Sequence, residues 1–172
     1  KEPRLLTRAV FPETVAPMLG DINWNQDAPY NNACPLVQGS RSMTGCVATA
    51  MAMILKYHNF PVKGKGTHSS KTSSGLECSF DYGSTTFSWN EMRSQYVGGN
   101  YTTEEANAVA ELMHACGVAV DMEYSPSSSG AYPFKVGQAL IDYFGYDENL
   151  GYVCRQYFTS EEWMNMIKTE LS

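Results

Sequence analysis

No stretch of this chain approaches the roughly 20 consecutive apolar residues that a membrane-crossing helix needs, so no span is expected. Lys1 to Leu19 contains no apolar h-region, and if the protein is exported its leader is expected to have been removed. No basic patch or stripe is present: the formal net charge is −6, and Lys63 and Lys65 among glycines read as a solvated loop. Nucleic acid is thereby excluded as a partner, because phosphate neutralisation needs clustered cations. The five cysteines (34, 46, 78, 116 and 154) contain no C-x-x-C pair and no zinc-type spacing. No metal and no cofactor is therefore expected, and a disulfide framework is excluded at this density. Cys34 and Cys78 lie in loops where they either pair or stay free. Histidine is scarce, at positions 58, 68 and 114 alone, and no internal repeat is found.

What is present is enough chain, 172 residues, for one domain with a sizeable core, and one stretch around which it is organised. From Val47 to Leu55 only Thr49 is polar, which predicts a helix apolar on every face and hence buried. Thr44 is the predicted N-cap. Lys56 and His58 suit the last turn by charge, and Asn59 and Pro61 end it. Cys46 then sits in the first turn, where the positive end of the helix dipole favours thiolate over thiol. The competing reading is a cysteine packed as a small hydrophobe.

Around this helix the motifs occur in a specific order. Trp24-Asn25-Gln26-Asp27-Ala28-Pro29-Tyr30-Asn31 is followed by Cys34-Pro35, Thr44-Gly45-Cys46-Val47-Ala48-Thr49-Ala50-Met51 and Lys56-Tyr57-His58-Asn59-Phe60-Pro61. Then come Trp89 with Met92, Glu111-Leu112-Met113, Gly117 to Met122, Tyr124 with Pro126-Ser127-Ser128, Phe144-Gly145-Tyr146 and the run Trp163 to Leu171. This order resembles the streptopain and interpain family of papain-like cysteine peptidases, from about Val15 to the end of the chain. The resemblance implies an α+β, papain-like fold, of which this chain is the N-terminal, mainly helical portion carrying the nucleophile. Residues 1–14 are then a propeptide remnant or a plain mature N-terminus, since family members are made as zymogens. Residues 15–172 are the N-terminal part of the catalytic domain.

By the same resemblance Cys46 is the catalytic nucleophile, and Gln26 donates its side-chain amide to an oxyanion hole shared with the Cys46 backbone N–H. Negative charge develops on the attacked carbonyl oxygen, so such donors are what the chemistry requires. The Ser/Gly/Pro loop from Tyr124 to Tyr132 corresponds to a cleft-lining loop. Ser129 and Gly130 become candidates for substrate binding through the backbone, against the alternative of an ordinary turn.

Elsewhere, Val62 to Gly75 is rich in Gly, Ser, Thr and Lys and reads as a surface loop. Ser88 to Glu91 reads as a capping box opening a short helix from Trp89 to about Arg93. Thr102 to Glu105 reads as a second box, opening a helix that Gly117 closes. Val118 to Met122 and Val153 to Tyr157 read as strands. Lys135 to Phe144 is a predicted helix ended by Gly145, and Thr159 with Glu162 caps a last helix that buries Trp163, Ile167 and Leu171.

A thiol peptidase needs a base within hydrogen-bond reach of the sulfur. His58 lies twelve residues along the same helix, about 18 Å from Cys46 at ~1.5 Å per residue, which rules it out. His68 and His114 occupy no position that the resemblance would use. In papain-like chains the histidine follows the cysteine by about 130–150 residues, which falls beyond Ser172. The expectation is a secreted or cell-surface bacterial cysteine endopeptidase acting on protein or peptide substrates. Its base would come from the C-terminal remainder of the domain, as a second chain or a missing segment, with a propeptide or protein inhibitor as a further partner. The alternatives are a papain-like peptidoglycan amidase or acyl transferase, and a non-catalytic surface-binding module on the same fold.

Overall fold

The computed structural model describes residues 12 and 14–171. Residues 1–14, read above as a propeptide remnant or mature N-terminus, lie outside the described residues except for 12 and 14. Residues 21–152 form one compact unit, and residues 153–171 group separately with residues 14–20.

In the larger unit, a two-residue hairpin (β1, Leu36–Val37; β2, Ser40–Arg41) precedes helix α1, Cys46–His58. The sequence bounds of α1 hold, and Asn59 ends it in the left-handed conformation with its N–H on Leu55 and Lys56 carbonyls. Two expectations for this helix fail. Its N-cap is Gly45, at φ 85° and ψ 138°, with no side-chain cap bond. Thr44 is instead wholly buried, its hydroxyl 2.8 Å from that of Thr49. Nor is α1 buried all round. Ala48, Thr49, Met51, Ala52 and Leu55 are buried, but Cys46, Ala50, Ile54 and Tyr57 form an exposed stripe at helical spacing.

The buried face of α1 packs on α2, Thr103–Ala119, where Val109, Leu112 and Met113 lose all solvent contact. Burial of each such side chain contributes about 1.5–3 kcal/mol, so packing rather than intrinsic propensity holds α1 in place. Thr102 and Glu105 form the predicted reciprocal capping box. Gly117 does not close α2, which continues through it to Ala119. The glycine is there because the Tyr124 hydroxyl passes 2.0 Å from where its β-carbon would project.

The segment from Val62 to Gly75 is not simply a loop. Thr67–Lys71 (β3) pairs antiparallel with Glu77–Asp81 (β4) over five residues. The alternation is hard to see in β3 because its inward residues are His68 and Ser70, paired with Phe80 and Cys78 of β4. Val118–Met122 is no strand: it finishes α2 and turns, with Asp121 at positive φ. Ser88 makes no side-chain cap, and Trp89–Glu91 is a single 3-10 turn with Trp89 buried. Helix α3, Lys135–Phe144, ends on left-handed Gly145 as predicted. Phe144 is buried against Tyr82 and Phe87.

In the smaller unit, Arg155–Tyr157 is a 3-10 turn, not a strand. The Thr159–Glu162 box opens α4, Ser160–Leu171, with the Thr159 N–H donating to Glu162 at 2.8 Å. Its predicted apolar face is only half-buried at Trp163 and Ile167, and Leu171 is exposed.

Candidate active site

Cys46 is the first residue of α1 and is exposed. No acidic side chain occupies the first turn to oppose a negative sulfur. The other thiols differ in kind. Cys34, Cys78 and Cys116 are buried. Burial pushes the Cys34 thiol up to about 12 and raises those of Cys78 and Cys116, keeping them protonated and unreactive. All five cysteines are free, so the possible Cys34–Cys78 pair is not formed. Cys154 is half-buried.

The turn before Cys46 is held from two sides. On one side the Thr44 N–H donates to the Gln26 carbonyl at 3.3 Å, and the Asn31 side-chain amide donates to the Ser42 carbonyl at 3.0 Å. The loop that delivers Gln26 is anchored by buried Trp24, whose indole N–H donates to the Arg93 carbonyl, and by buried Tyr30. Gln26 is half-buried and its backbone N–H goes to Asn25 Oδ1. Among the described residues its side-chain amide has no hydrogen-bond partner. The backbone of Gln26 is thereby tied two residues upstream of Cys46.

On the other side lies the Tyr124–Tyr132 loop. The Met43 N–H donates to the Ser125 carbonyl at 3.1 Å, and the Ser129 hydroxyl donates to the Met43 carbonyl at 2.7 Å. A β-carbon on Gly45 would stand 2.6 Å from Met122 Sδ and Cε and 3.2 Å from the Ser129 carbonyl oxygen. Ser129 itself is only 6% exposed. Gly130 is exposed, and its N–H and C=O both pair with Glu123. Nothing lies within 4 Å of the position its β-carbon would take. All four residues singled out in the sequence thus belong to three segments joined by backbone bonds. Met122, under Gly45, is a contact that sequence reasoning missed, and no local signal points to it because it is 77 positions away.

The three histidines are engaged elsewhere. His58 packs edge-on to Tyr57 and Tyr146 at the far end of α1. His68, on β3 rather than in a loop, meets Asp121 Oδ1 at 2.8 Å and stacks on Tyr143. Lys135 Nζ reaches the other Asp121 oxygen at 2.7 Å. Burial works to raise the Asp121 carboxyl, but the hydrogen bonds from Lys135 and His68 outweigh it and hold the group below the usual range. His114 lies on α2 against Phe80 and Tyr124, and burial lowers its pKa. Among the described residues, no group of three or more potential metal ligands is found, and no helix is long and apolar enough to cross a membrane.

An α+β unit with an exposed cysteine opening its central helix has the architecture of the papain-like cysteine peptidases, and the comparisons agree. Interpain A, a cysteine protease of Prevotella intermedia, superposes with a TM-score of 0.85 at 39% identity, over 94% of this chain and 70% of that one. A prointerpain A fragment matches at the same score and identity. Streptopain of Streptococcus pyogenes is 34% identical over 169 residues, which is 88% of this chain and 42% of streptopain. The thiol protease/hemagglutinin PrtT of Porphyromonas gingivalis is 31% identical over 173 residues, 20% of its length. The family model of the peptidase C10 family matches residues 24–172. The chain belongs to the peptidase C10 family. It spans less than half the length of the curated relatives it matches.

Proposed function

We propose that this protein is a cysteine endopeptidase in which Cys46 is the nucleophile. The thiolate attacks the scissile carbonyl, the Gln26 side-chain amide and the Cys46 N–H hold the oxyanion, and a histidine protonates the leaving amine. Water then releases the acyl-enzyme. The observation that carries this reading is that Cys46 is the exposed thiol at a helix N-terminus while three others are buried and raised. The Thr44–Gln26 backbone bond supports Gln26 as its oxyanion partner.

The base, in this reading, comes from a segment beyond Ser172, and residues 15–172 are the nucleophile-bearing part of the catalytic domain. Two observations support that division. The described histidines are all committed to other contacts. The outer stripe of α1, with Ile54 40% and Tyr57 46% exposed, offers apolar area for the rest of the domain to cover. In this reading the 129–130 backbone lines the substrate cleft, which the open space beside Gly130 supports. Secretion, protein or peptide substrates and a propeptide preceding residue 15 complete the reading. The related prointerpain A is itself a pro-form.

The test uses the full-length protein. Iodoacetamide labelling followed by peptide mapping is expected to modify Cys46 first, and Cys46→Ala to abolish casein hydrolysis without lowering Tm. Labelling spread evenly over the five cysteines would remove Cys46 from the nucleophile role.

A further inference from the structure

We propose that Ser129 is a positioning residue for the nucleophile, its hydroxyl fastening the Met43 carbonyl and so holding the Gly45 turn that aims Cys46. The proposal rests on the assignment of Cys46 above and gives Ser129 a role inside the protein in place of contact with substrate.

The geometry is specific. Both backbone polar groups of Met43 are given to the 125–129 segment, the N–H to the Ser125 carbonyl and the C=O to the Ser129 hydroxyl, 86 residues away in sequence. Ser129 Oγ has one proton and two acceptors nearby, Met43 O at 2.7 Å and Ser125 O at 3.1 Å. The shorter distance takes the proton. A lone pair of the same oxygen accepts from the Ser125 N–H at 3.0 Å. The hydroxyl's single proton and one of its two lone pairs are therefore committed inside the protein, and with the residue 6% exposed it has no donor left to offer a ligand.

Why the turn needs such a bolt follows from Gly45. It connects the Met43–Thr44 segment to α1 at φ 85°, a conformation that glycine visits freely and is equally free to leave. With no β-carbon to restrict it, Gly45 is held by what surrounds it: Met122 beneath, the Ser129 carbonyl beside, and the two residues before it pinned by Gln26 and Ser129. Releasing the Met43 carbonyl leaves a polar group without its partner and lets the turn relax. Small errors of aim at a reacting atom cost rate far more than they cost stability.

The experiment is done on the full-length protein with a chromogenic peptide substrate and with iodoacetamide. Ser129→Ala is expected to slow alkylation of Cys46 and to lower kcat about tenfold, with KM within about twofold of wild type. Ser129→Thr, which keeps a hydroxyl, is expected to restore both. Tyr82→Phe, which deletes the Tyr82–Ala115 hydrogen bond in the core, is expected to lower Tm comparably while leaving kcat unchanged. If Ser129→Ala does not fold, Ser129→Cys is read instead, its weak S–H donor giving a smaller loss in the same direction. Wild-type kcat in the Ala or Cys variant, a change confined to KM, or a Thr variant as slow as Ala each overturns the proposal. Should wild-type Cys46 label no faster than Cys154, the nucleophile assignment itself falls, and the positioning role with it.

Discussion

Met122 places its Sδ and Cε 2.6 Å from the point where a β-carbon on Gly45 would stand. The residue before the nucleophile is thus glycine for two separate reasons, a positive φ and a neighbour that fills the space. Gly45→Ala is expected to cost about 1–3 kcal/mol for the backbone conformation and a similar amount for overpacking. Urea unfolding measures the loss, and iodoacetamide labelling of Cys46 should slow with it. Wild-type stability would show that the turn can re-form without glycine.

Gln26 is tied to the turn by its backbone, so its side chain can be changed without cutting that bond. Gln26→Ala is expected to lower kcat by about 10²–10³-fold, the usual effect of removing one oxyanion donor. KM and Tm should stay near wild type. A loss appearing in KM alone would assign the side chain to ground-state binding.

Gly130 has no atom within 4 Å of its missing β-carbon and is not at positive φ. Gly130→Val should therefore fold with Tm within about a degree or two, since surface changes away from special features usually stay within ±0.5 kcal/mol. In the cleft wall the added side chain is expected to raise KM for peptide substrates. Unchanged kinetics would move Gly130 out of the substrate path.

Gly117 sets two effects against each other. Glycine inside a helix costs about 1 kcal/mol relative to alanine, which alone would make Gly117→Ala stabilising. The Tyr124 hydroxyl at 2.0 Å from the new β-carbon reverses the sign, with an expected loss of about 1–3 kcal/mol. That hydroxyl is buried with no close oxygen or nitrogen partner among the described residues and only the Cys34 thiol beside it, so Tyr124→Phe removes the obstacle at little cost. The double variant should recover most of the stability in urea melts. A double variant no better than Gly117→Ala would place the clash elsewhere.

Asp121 links β3 to the start of α3 through His68 and Lys135. Its carboxyl titrates below the usual 3.8 in the folded state, so its contribution is full above that value and disappears as pH falls through the depressed one. The aspartate is 41% exposed, which limits the effect to about 1 kcal/mol or less. Wild type should lose more stability than Asp121→Asn between neutral pH and about pH 2–3, in denaturant melts followed across that range. Parallel curves would remove Asp121 from the acid response.

Several elements were legible from sequence because their determinants are local. The bounds of α1, the Thr102–Glu105 and Thr159–Glu162 boxes and the Gly145 stop all depend on residues within one or two turns. The errors came where distant neighbours decide. Thr44 has the chemistry of an N-cap but is turned inward to Thr49, leaving Gly45 in the cap position. Gly117 has the chemistry of a helix stop but makes room for Tyr124. The β3–β4 pair is a ladder whose alternation is masked on β3, where the inward residues are His68 and Ser70.

For the site, motif order points to Cys46, Gln26, Ser129 and Gly130, yet nothing in that order separates a hydroxyl that meets substrate from one that meets Met43. Composition and local pattern alone determined the absence of a basic stripe, the central helix and the cysteine at its start, since each is a property of adjacent residues. Only the tertiary structure decided which face of that helix is buried, that Met122 underlies Gly45, and that the Ser129 hydroxyl is spent on Met43. The first depends on packing against α2, and the other two on contacts between residues 77 and 86 positions apart; sequence spacing carries no information about which of them meet.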